Sequence, residues 1–313
     1  MDITQLTRDP HVGGATRIAL CDWGGSRLRA FLQVEGEIVA RREGVGIGAL
    51  RGSAMSALRD TLQPWSETNF DQIVMCGMGG SRNGIVEVPY VPMPAGLAQW
   101  ASHALEHPAG DFAILIAAGI CGANVAGAPD AMRGEETQIF GAMECHAPLA
   151  QGRHTLLLPG THSKWVQITD GRITAMQTYI TGELFAVLRD NSSLLRAGDS
   201  RAAVDGGFAA GMARVRESGL SSSLFETRAA QLILGRPQQW AREFLSGLLI
   251  GDEVAAVLRA RALTSVVLIG EGALAALYGE ALCAQGVAFE CLDADRCVVA
   301  GLRALSAQHR RVA

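Results

Sequence analysis

Two short stretches of this 313-residue chain bring together groups suited to holding phosphate. The first is Asp22-Trp23-Gly24-Gly25-Ser26-Arg27, with a carboxylate, two glycines and a hydroxyl. The second is Gly160-Thr161-His162-Ser163-Lys164, with one glycine, two hydroxyls and a cation. Backbone N–H groups in such turns form concave anion sites. A carboxylate beside them suits a hard cation such as magnesium. A nucleotide's phosphates are a natural ligand. Two other stretches carry chemistry. Residues 77–84 hold four glycines with Gly80, Ser81 and Arg82 together, and Arg82 can grip a carboxylate or phosphate through two parallel hydrogen bonds. Residues 130–138 carry Arg133, Glu135 and Glu136 at the start of an expected helix. One reading makes a glutamate a general base or a magnesium ligand. The other has both simply answering the helix dipole, for roughly 0.3–1 kcal/mol each. Neighbouring helical side chains point about 100° apart, so at most one of the two faces a cleft directly.

The elements that must position these groups follow from hydrophobic pattern and turn chemistry. Residues 18–21 and 28–34 read as strands around the first turn, and Gly36 leads into a third at 38–42. Residues 155–158 are an apolar run stopped by Pro159-Gly160, and a further hairpin turns at Asp170-Gly171. Aligning Gly25 with Gly160 also aligns Ser26 with Thr161 and Gly36 with Gly171, without a gap. That pattern suggests an internal repeat, hence two similar lobes clasping one ligand.

Between and after the repeats, the spacing of Leu50, Ala54, Leu58 and Leu62 predicts a helix over 48–62, ended by Pro64. Residues 72–76 and 112–118 read as buried strands, 86–94 as extended and 96–107 as a helix. Residues 119–129 read as a glycine-rich loop beyond a strand end, where ligands bind in α/β sheets. Further helices are expected from Thr181, over 224–234 and over 238–262, where Gly247 and Gly251 permit close helix packing, the favoured reading, or the approach of a nucleotide base. Residues 191–207 read as a polar loop with short helical pieces. A strand at 265–269 runs through Gly270-Glu271-Gly272-Ala273 into a helix at 274–285, a generic nucleotide-site layout. A last helix is expected over 294–307.

With 49% apolar residues the chain can build one large or two medium domains. A net charge of −4 does not favour nucleic acid or a membrane surface. No apolar run reaches membrane-spanning length. Residues 1–15 lack an apolar leader and read as a disordered tail. The seven cysteines contain no Cys-x-x-Cys pair and read as reduced thiols of a cytoplasmic protein. His162-Ser163-Lys164 lacks the flanks of a nucleophile elbow, so a serine hydrolase is disfavoured.

In this order, DWGGSRLRA, CGMGGSRNG, EVPYVPMPA, MRGEETQIFGA, LPGTHSKW, TGELF and LSGLLIGDEV resemble the 2-dehydro-3-deoxygalactonokinase family. The resemblance runs from about Thr16 to Ala307. It implies an α/β fold of two similar lobes, each a mixed β-sheet with flanking helices, in the superfold of actin, hexokinase and heat-shock ATPases. The lobes would be residues 16–133 and 134–293, with 294–313 a helix returning to the hinge. It implies ATP-dependent phosphorylation of 2-dehydro-3-deoxy-D-galactonate at its 6-hydroxyl, a step in galactonate breakdown, with Mg²⁺ as the ion. Asp22 would take the magnesium. Gly24, Gly25, Ser26, Gly160, Thr161, Ser163 and Lys164 would hold phosphate, with Gly270 and Gly272 beside the adenosine. Glu135 or Glu136 would be the base, Glu135 being favoured. Gly80, Ser81, Arg82 and Arg133 would bind the sugar acid. Two departures stand out. Gly25 replaces a hydroxyl residue, and Ile85 stands where the family has tryptophan. Rival readings are a kinase for another sugar acid or ketose, and a nucleotide-binding regulator without catalysis. The oligomeric state is left open, a homodimer included.

Overall fold

The computed structural model describes residues 15–65, 70–110, 112–195 and 206–312. The expected N-terminal tail lies outside them apart from residue 15, as does most of the expected loop over 191–207.

The chain opens with strands β1 (Arg17–Trp23), β2 (Arg27–Val34) and β3 (Glu37–Val45). Helix α1 (Ala54–Leu62) and strands β4 (Gln72–Gly77), β5 (Val91–Pro92) and β6 (Ala95–Gly96) follow. Next come α2 (Leu97–Ala101), β7 (Leu105–Pro108), β8 (Ala113–Ile116), β9 (Ile120–Ala123), β10 (Pro129–Met132) and α3 (Glu135–Cys145). A second set of strands is β11 (Arg153–Leu158), β12 (Ser163–Thr169) and β13 (Arg172–Tyr179). Then come α4 (Thr181–Asn191), α5 (Gly207–Ser218), α6 (Leu220–Ser223), α7 (Glu226–Leu234) and α8 (Gln238–Ala260). The chain closes with β14 (Ser265–Ile269), α9 (Gly272–Cys283), β15 (Ala288–Leu292) and α10 (Ala294–Val312).

Two compact units result. The first holds the residues up to Pro89, Trp100–Gly119 and the chain from Leu302. Its six-stranded sheet has the order β3-β2-β1-β4-β8-β7. Strand β1 runs antiparallel to β2 and parallel to β4. Leu20, Trp23, Leu28, Ile73, Met75 and Ile114 are fully buried in its core. Helix α1 lies so close on β3 that a Cβ at Gly44 would sit 2.3 Å from the Thr61 hydroxyl.

The second unit holds Tyr90–Gln99 and Ile120–Gly301. Its main sheet has the order β15-β14-β11-β12-β13-β6, and β10-β9-β5 form a small second sheet. Leu157, Trp165, Ile250, Leu268, Tyr278 and Leu282 share one core cluster. Helices α5 and α8 cross at glycines, as expected of Gly247. A Cβ there would lie 2.1 Å from the Phe208 carbonyl, and one at Gly211 would lie 2.2 Å from that of Phe244. Helices α3 and α10 meet the same way, with Gly141 against Cys297 and Gly301 against Thr137.

The expected repeat is present in the topology. Three antiparallel strands followed by two parallel ones recur as β3-β2-β1-β4-β8 and β13-β12-β11-β14-β15. Both two-residue turns place an acid and a glycine at positive φ, Glu35-Gly36 (50° and 86°) and Asp170-Gly171 (47° and 71°). That is the primed hairpin geometry that matches strand twist. Register shifts fall between Leu32 and Gln33 in one unit and between Gln167 and Ile168 in the other, the same step of the alignment. Bulges at matched positions are built features of a strand pair.

Three local expectations are corrected. The helix expected over 48–62 starts only at Ala54, because Gly52 sits at φ 122° and Ser53 is extended. The helix expected over 96–107 is confined to Leu97–Ala101, and Leu105–Pro108 is an edge strand antiparallel to β8. The loop expected over 119–129 contains β9, which pairs with both β10 and β5. No described helix is long and apolar enough to cross a membrane.

Candidate active site

In the first unit, two loops leave the carboxyl ends of neighbouring parallel strands, since Asp22 pairs with Cys76 and Trp23 with Gly77 across β1 and β4. One is the Gly24–Ser26 turn. Its carbonyls are tied from behind, with the Ile47 N–H donating to Gly24 and the Gly48 N–H to Gly25. Gly46 packs so tightly under it that a Cβ would lie 2.2 Å from the Ser26 carbonyl carbon. By contrast, nothing lies within 4 Å of a Cβ built on Gly25. The Asp22 carboxylate is buried and paired with the equally buried Arg29, whose Nε donates to it over 3.1 Å. The Cys76 thiol lies on its other oxygen at 3.6 Å.

The other loop is the glycine-rich 77–84. The glycines there admit the chain itself. A Cβ at Gly77 would meet the Trp23 carbonyl at 2.5 Å, one at Gly79 the Met75 sulfur at 2.3 Å and one at Gly84 the Gly79 carbonyl at 2.3 Å. The Gly80 carbonyl accepts the Val88 N–H, and the Ser81 hydroxyl donates to the Met78 carbonyl. Arg82 projects to solvent with its side chain 84% exposed, 3.5 Å from Glu87.

The same arrangement recurs in the second unit. Strands β11 and β14 are parallel neighbours, Leu157 against Leu268. The Pro159–His162 turn and the Gly270–Ala273 loop leave their carboxyl ends, and a Cβ at Gly270 would lie 3.6 Å from the Pro159 ring. The turn rests on the start of α4: the Glu183 N–H donates to the Thr161 carbonyl, and a Cβ at Gly182 would meet the Gly160 carbonyl at 2.3 Å. Beside the turn opens a cavity of about 380 Å³, lined by Phe208, Ile250, Leu277 and Tyr278 and by the polar Gln239, Ser246, Arg189, Arg242 and Glu243. Gly160 and Ala273 both line it. A concave, mostly apolar pocket with a few polar groups is the usual form of a small-molecule site.

Two residues expected on phosphate are turned inward. Ser163 is fully buried, and its hydroxyl donates to Glu253 over 2.8 Å. The Lys164 ammonium is buried and donates to the Ala131 carbonyl at 3.0 Å and the Thr178 hydroxyl at 2.9 Å. Thr178 in turn donates its hydroxyl and its N–H to Asp130. Lys164 thereby anchors the strand that leads into Arg133, whose guanidinium lies 4.2 Å from the Tyr90 ring centre.

The two glutamates at the start of α3 are separated by environment. Glu136 is fully buried, its two oxygens accept the Gly134 N–H at 2.9 and 2.8 Å, and Thr137 donates to one of them. Burial first, and then the neighbouring charge of Glu135, push its pKa up to about 8. Glu135 is half-buried and accepts the Arg133 N–H at 3.1 Å. Gly134, at φ 116°, makes the sharp entry that lets both side chains fold back on the helix start. Sequence reasoning singled out neither Glu253 nor Arg29. Alternation along β2 puts Arg29 on the face of Arg27 and Gln33, opposite Leu28, Ala30 and Leu32, so the pattern alone does not mark it as buried.

A sheet that begins as a three-stranded antiparallel meander and continues with parallel strands, present twice, defines a member of the actin- and hexokinase-like ATPase superfold. The chain matches the 2-keto-3-deoxy-galactonokinase family over residues 22–305, and it belongs to that family. It is 34% identical to the 2-dehydro-3-deoxygalactonokinase of Escherichia coli (strain K12), covering 93% of this chain and 97% of that one. It is 38% identical to a Rhizobium meliloti (strain 1021) protein assigned as 2-dehydro-3-deoxygalactonokinase, covering 91% and 95%. A crystal structure from Sinorhizobium meliloti with the same assignment superposes with a TM-score of 0.81 at 37% identity, covering 94% of this chain and 99% of that one.

Proposed function

We propose that this chain transfers a phosphoryl group from ATP to the 6-hydroxyl of 2-dehydro-3-deoxy-D-galactonate, in the cytoplasm. Family membership supports the substrate class. The observation that supports the nucleotide is the cavity lined by both Gly160 and Ala273, at the carboxyl ends of two parallel strands. The apolar part of its lining suits a purine, and the second turn suits phosphate. In this reading the N–H groups of Gly160 and Thr161 hold phosphate oxygens, with Gly270 and Gly272 beside the adenosine. Gly24, Gly25 and Ser26 do the same work in the first turn.

Magnesium fits this donor set in a limited way. Among the described residues no group of three or more His, Cys, Asp or Glu side chains could hold a metal. One carboxylate is what Mg²⁺ ordinarily takes from a kinase, the rest of its shell being phosphate and water. Asp22 supplies that carboxylate, with Arg29 fixing its orientation. When bound, the ion would neutralise charge on the transferred group.

Glu135 is the base that receives the hydroxyl proton. Glu136, sealed from solvent and spent on the Gly134 N–H, holds the helix start. For the substrate carboxylate, Arg82 is the first candidate and Arg133 the second, with Gly80 and Ser81 shaping the loop. The Arg82–Glu87 pair is exposed, so exchanging Glu87 for a substrate carboxylate costs at most about 1 kcal/mol. The half-buried Ile85 favours one alternative, a kinase for a different sugar acid on the same scaffold.

A coupled ADP-release assay tests the reading, using ATP, magnesium and 2-dehydro-3-deoxy-D-galactonate beside its gluconate epimer and plain hexoses. Preference for the galactonate acid is the expected result. Turnover of another acid moves the substrate. Bound ATP with no turnover on any acceptor would favour a regulator.

A further inference from the structure

Glu253 lies on α8, outside the stretches expected to touch ligand, and it is almost fully buried. Four donors converge on its carboxylate. Ser163 Oγ and Trp165 Nε1 each donate to Oε1 over 2.8 Å. The Tyr278 hydroxyl donates to Oε2 over 2.7 Å, and the Thr181 hydroxyl donates to the same oxygen. A carboxylate offers about four acceptor sites, and these four donors fill them, working against the burial that raises its pKa.

The sources of these donors give the arrangement its meaning. Ser163 is the first residue of β12, directly after the second turn. Thr181 opens α4, next to the Gly182 that packs on the Gly160 carbonyl. Tyr278 lies on α9, the helix that begins at Gly272. Thr181 and Tyr278 both line the 380 Å³ cavity. A single side chain thus fixes the turn beneath the cavity and two of its walls.

We propose that Glu253 is a positioning residue for nucleotide binding, setting the second turn, the start of α4 and the cavity face of α9 in one arrangement. This rests on the reading of that cavity as the nucleotide pocket. Glu253 does not itself touch ligand and acts through Ser163, Thr181 and Tyr278. A glutamine has one acceptor oxygen and presents an NH₂ where two donors point, so it leaves buried donors unpaired. The pocket walls then lose their common anchor while the apolar core around them persists.

The test is calorimetric titration of Mg·ADP into wild type, Glu253→Gln, Tyr278→Phe and the double variant, with Tm and the sugar-acid KM alongside. The expected result is ADP affinity weakened by about ten-fold or more in Glu253→Gln and by a smaller factor in Tyr278→Phe. The double variant should be no weaker than Glu253→Gln, since both act through one hub. The sugar-acid KM should stay unchanged. A Glu253→Gln protein with lowered Tm but wild-type ADP affinity would overturn the proposal, leaving only a stability anchor. If Glu253→Gln does not fold, Tyr278→Phe decides, and unchanged ADP affinity in that variant is the overturning result. Wild type that does not bind ADP would overturn the pocket reading and this proposal together. Wild type that binds, with indifferent variants, overturns this proposal alone.

Discussion

The two hairpins that open the two units share a backbone plan and differ in what they bury. At matched positions both carry a buried cation, Arg29 in the first and Lys164 in the second. Arg29 is neutralised by Asp22 within its own hairpin. The residue matched to Asp22 is Leu157, which is core, and Lys164 looks instead to the Ala131 carbonyl and Thr178. The first turn therefore draws its neighbouring carboxylate from its own hairpin, whereas the carboxylate beside the second, Glu183 on His162, comes from the start of α4. A further carboxylate, Glu253 on α8, is placed behind the second turn and holds Ser163. The two copies of the plan thus differ in where their acids come from, which fits the proposed division between metal-side and nucleoside-side work.

That comparison can be broken in several ways. The largest effect is expected at the start of α3. Glu135→Gln should lower kcat by about 10²–10⁴-fold with ADP binding intact. Glu136→Gln should keep most turnover. Near-normal turnover in Glu135→Gln would remove it as the base.

The next effect concerns how each turn is supported. A Cβ at Gly182 would meet the Gly160 carbonyl at 2.3 Å, and one at Gly46 would press on Ser26. Gly182→Ala and Gly46→Ala should each cost about 1–3 kcal/mol by overpacking. Gly182→Ala should also weaken ADP binding, because the displaced turn is the one at the cavity. Equal loss of ADP affinity in both would erase the distinction between the turns.

A smaller effect is expected in the pH dependence of stability. The Glu136 pKa is raised by folding from 4.5 to about 8. Folding thus favours its protonated form, and the stability this contributes is complete below pH 4.5 and lost as pH rises toward 8. Glu136→Gln stays neutral, so its Tm relative to wild type should improve steadily across that window. A constant Tm difference would contradict the assignment.

The smallest effect is at Gly25. The space around it is open, so Gly25→Thr should fold with unchanged Tm. Restoring the family's hydroxyl there should shift the KM for ATP by only a few-fold, about what a single hydrogen bond contributes.

Much of the scaffold was legible because it depends on local chemistry. Asp170-Gly171 and Gly36 announce their turns, and the apolar runs at 72–76, 155–158 and 265–269 announce buried parallel strands. The edge strands were harder. Ala288–Leu292 is mostly exposed, so burial leaves no continuous apolar run to read. Residues 77–84 stand out by their glycines, and at Gly77, Gly79 and Gly84 it is Trp23, Met75 and the loop's own carbonyls that need the space, which no local pattern shows. The inward turn of Ser163 onto Glu253 was hidden for another reason. Their pairing joins residues 90 positions apart, and no periodicity records that.

The measurement that bears most directly on the account is Mg·ADP titration into Ser246→Phe, whose side chain would fill the cavity beside the second turn, compared with Asp22→Asn. The account predicts that Ser246→Phe loses ADP binding, while Asp22→Asn still binds ADP but loses magnesium-dependent turnover. Full ADP affinity in a folded Ser246→Phe protein would contradict it.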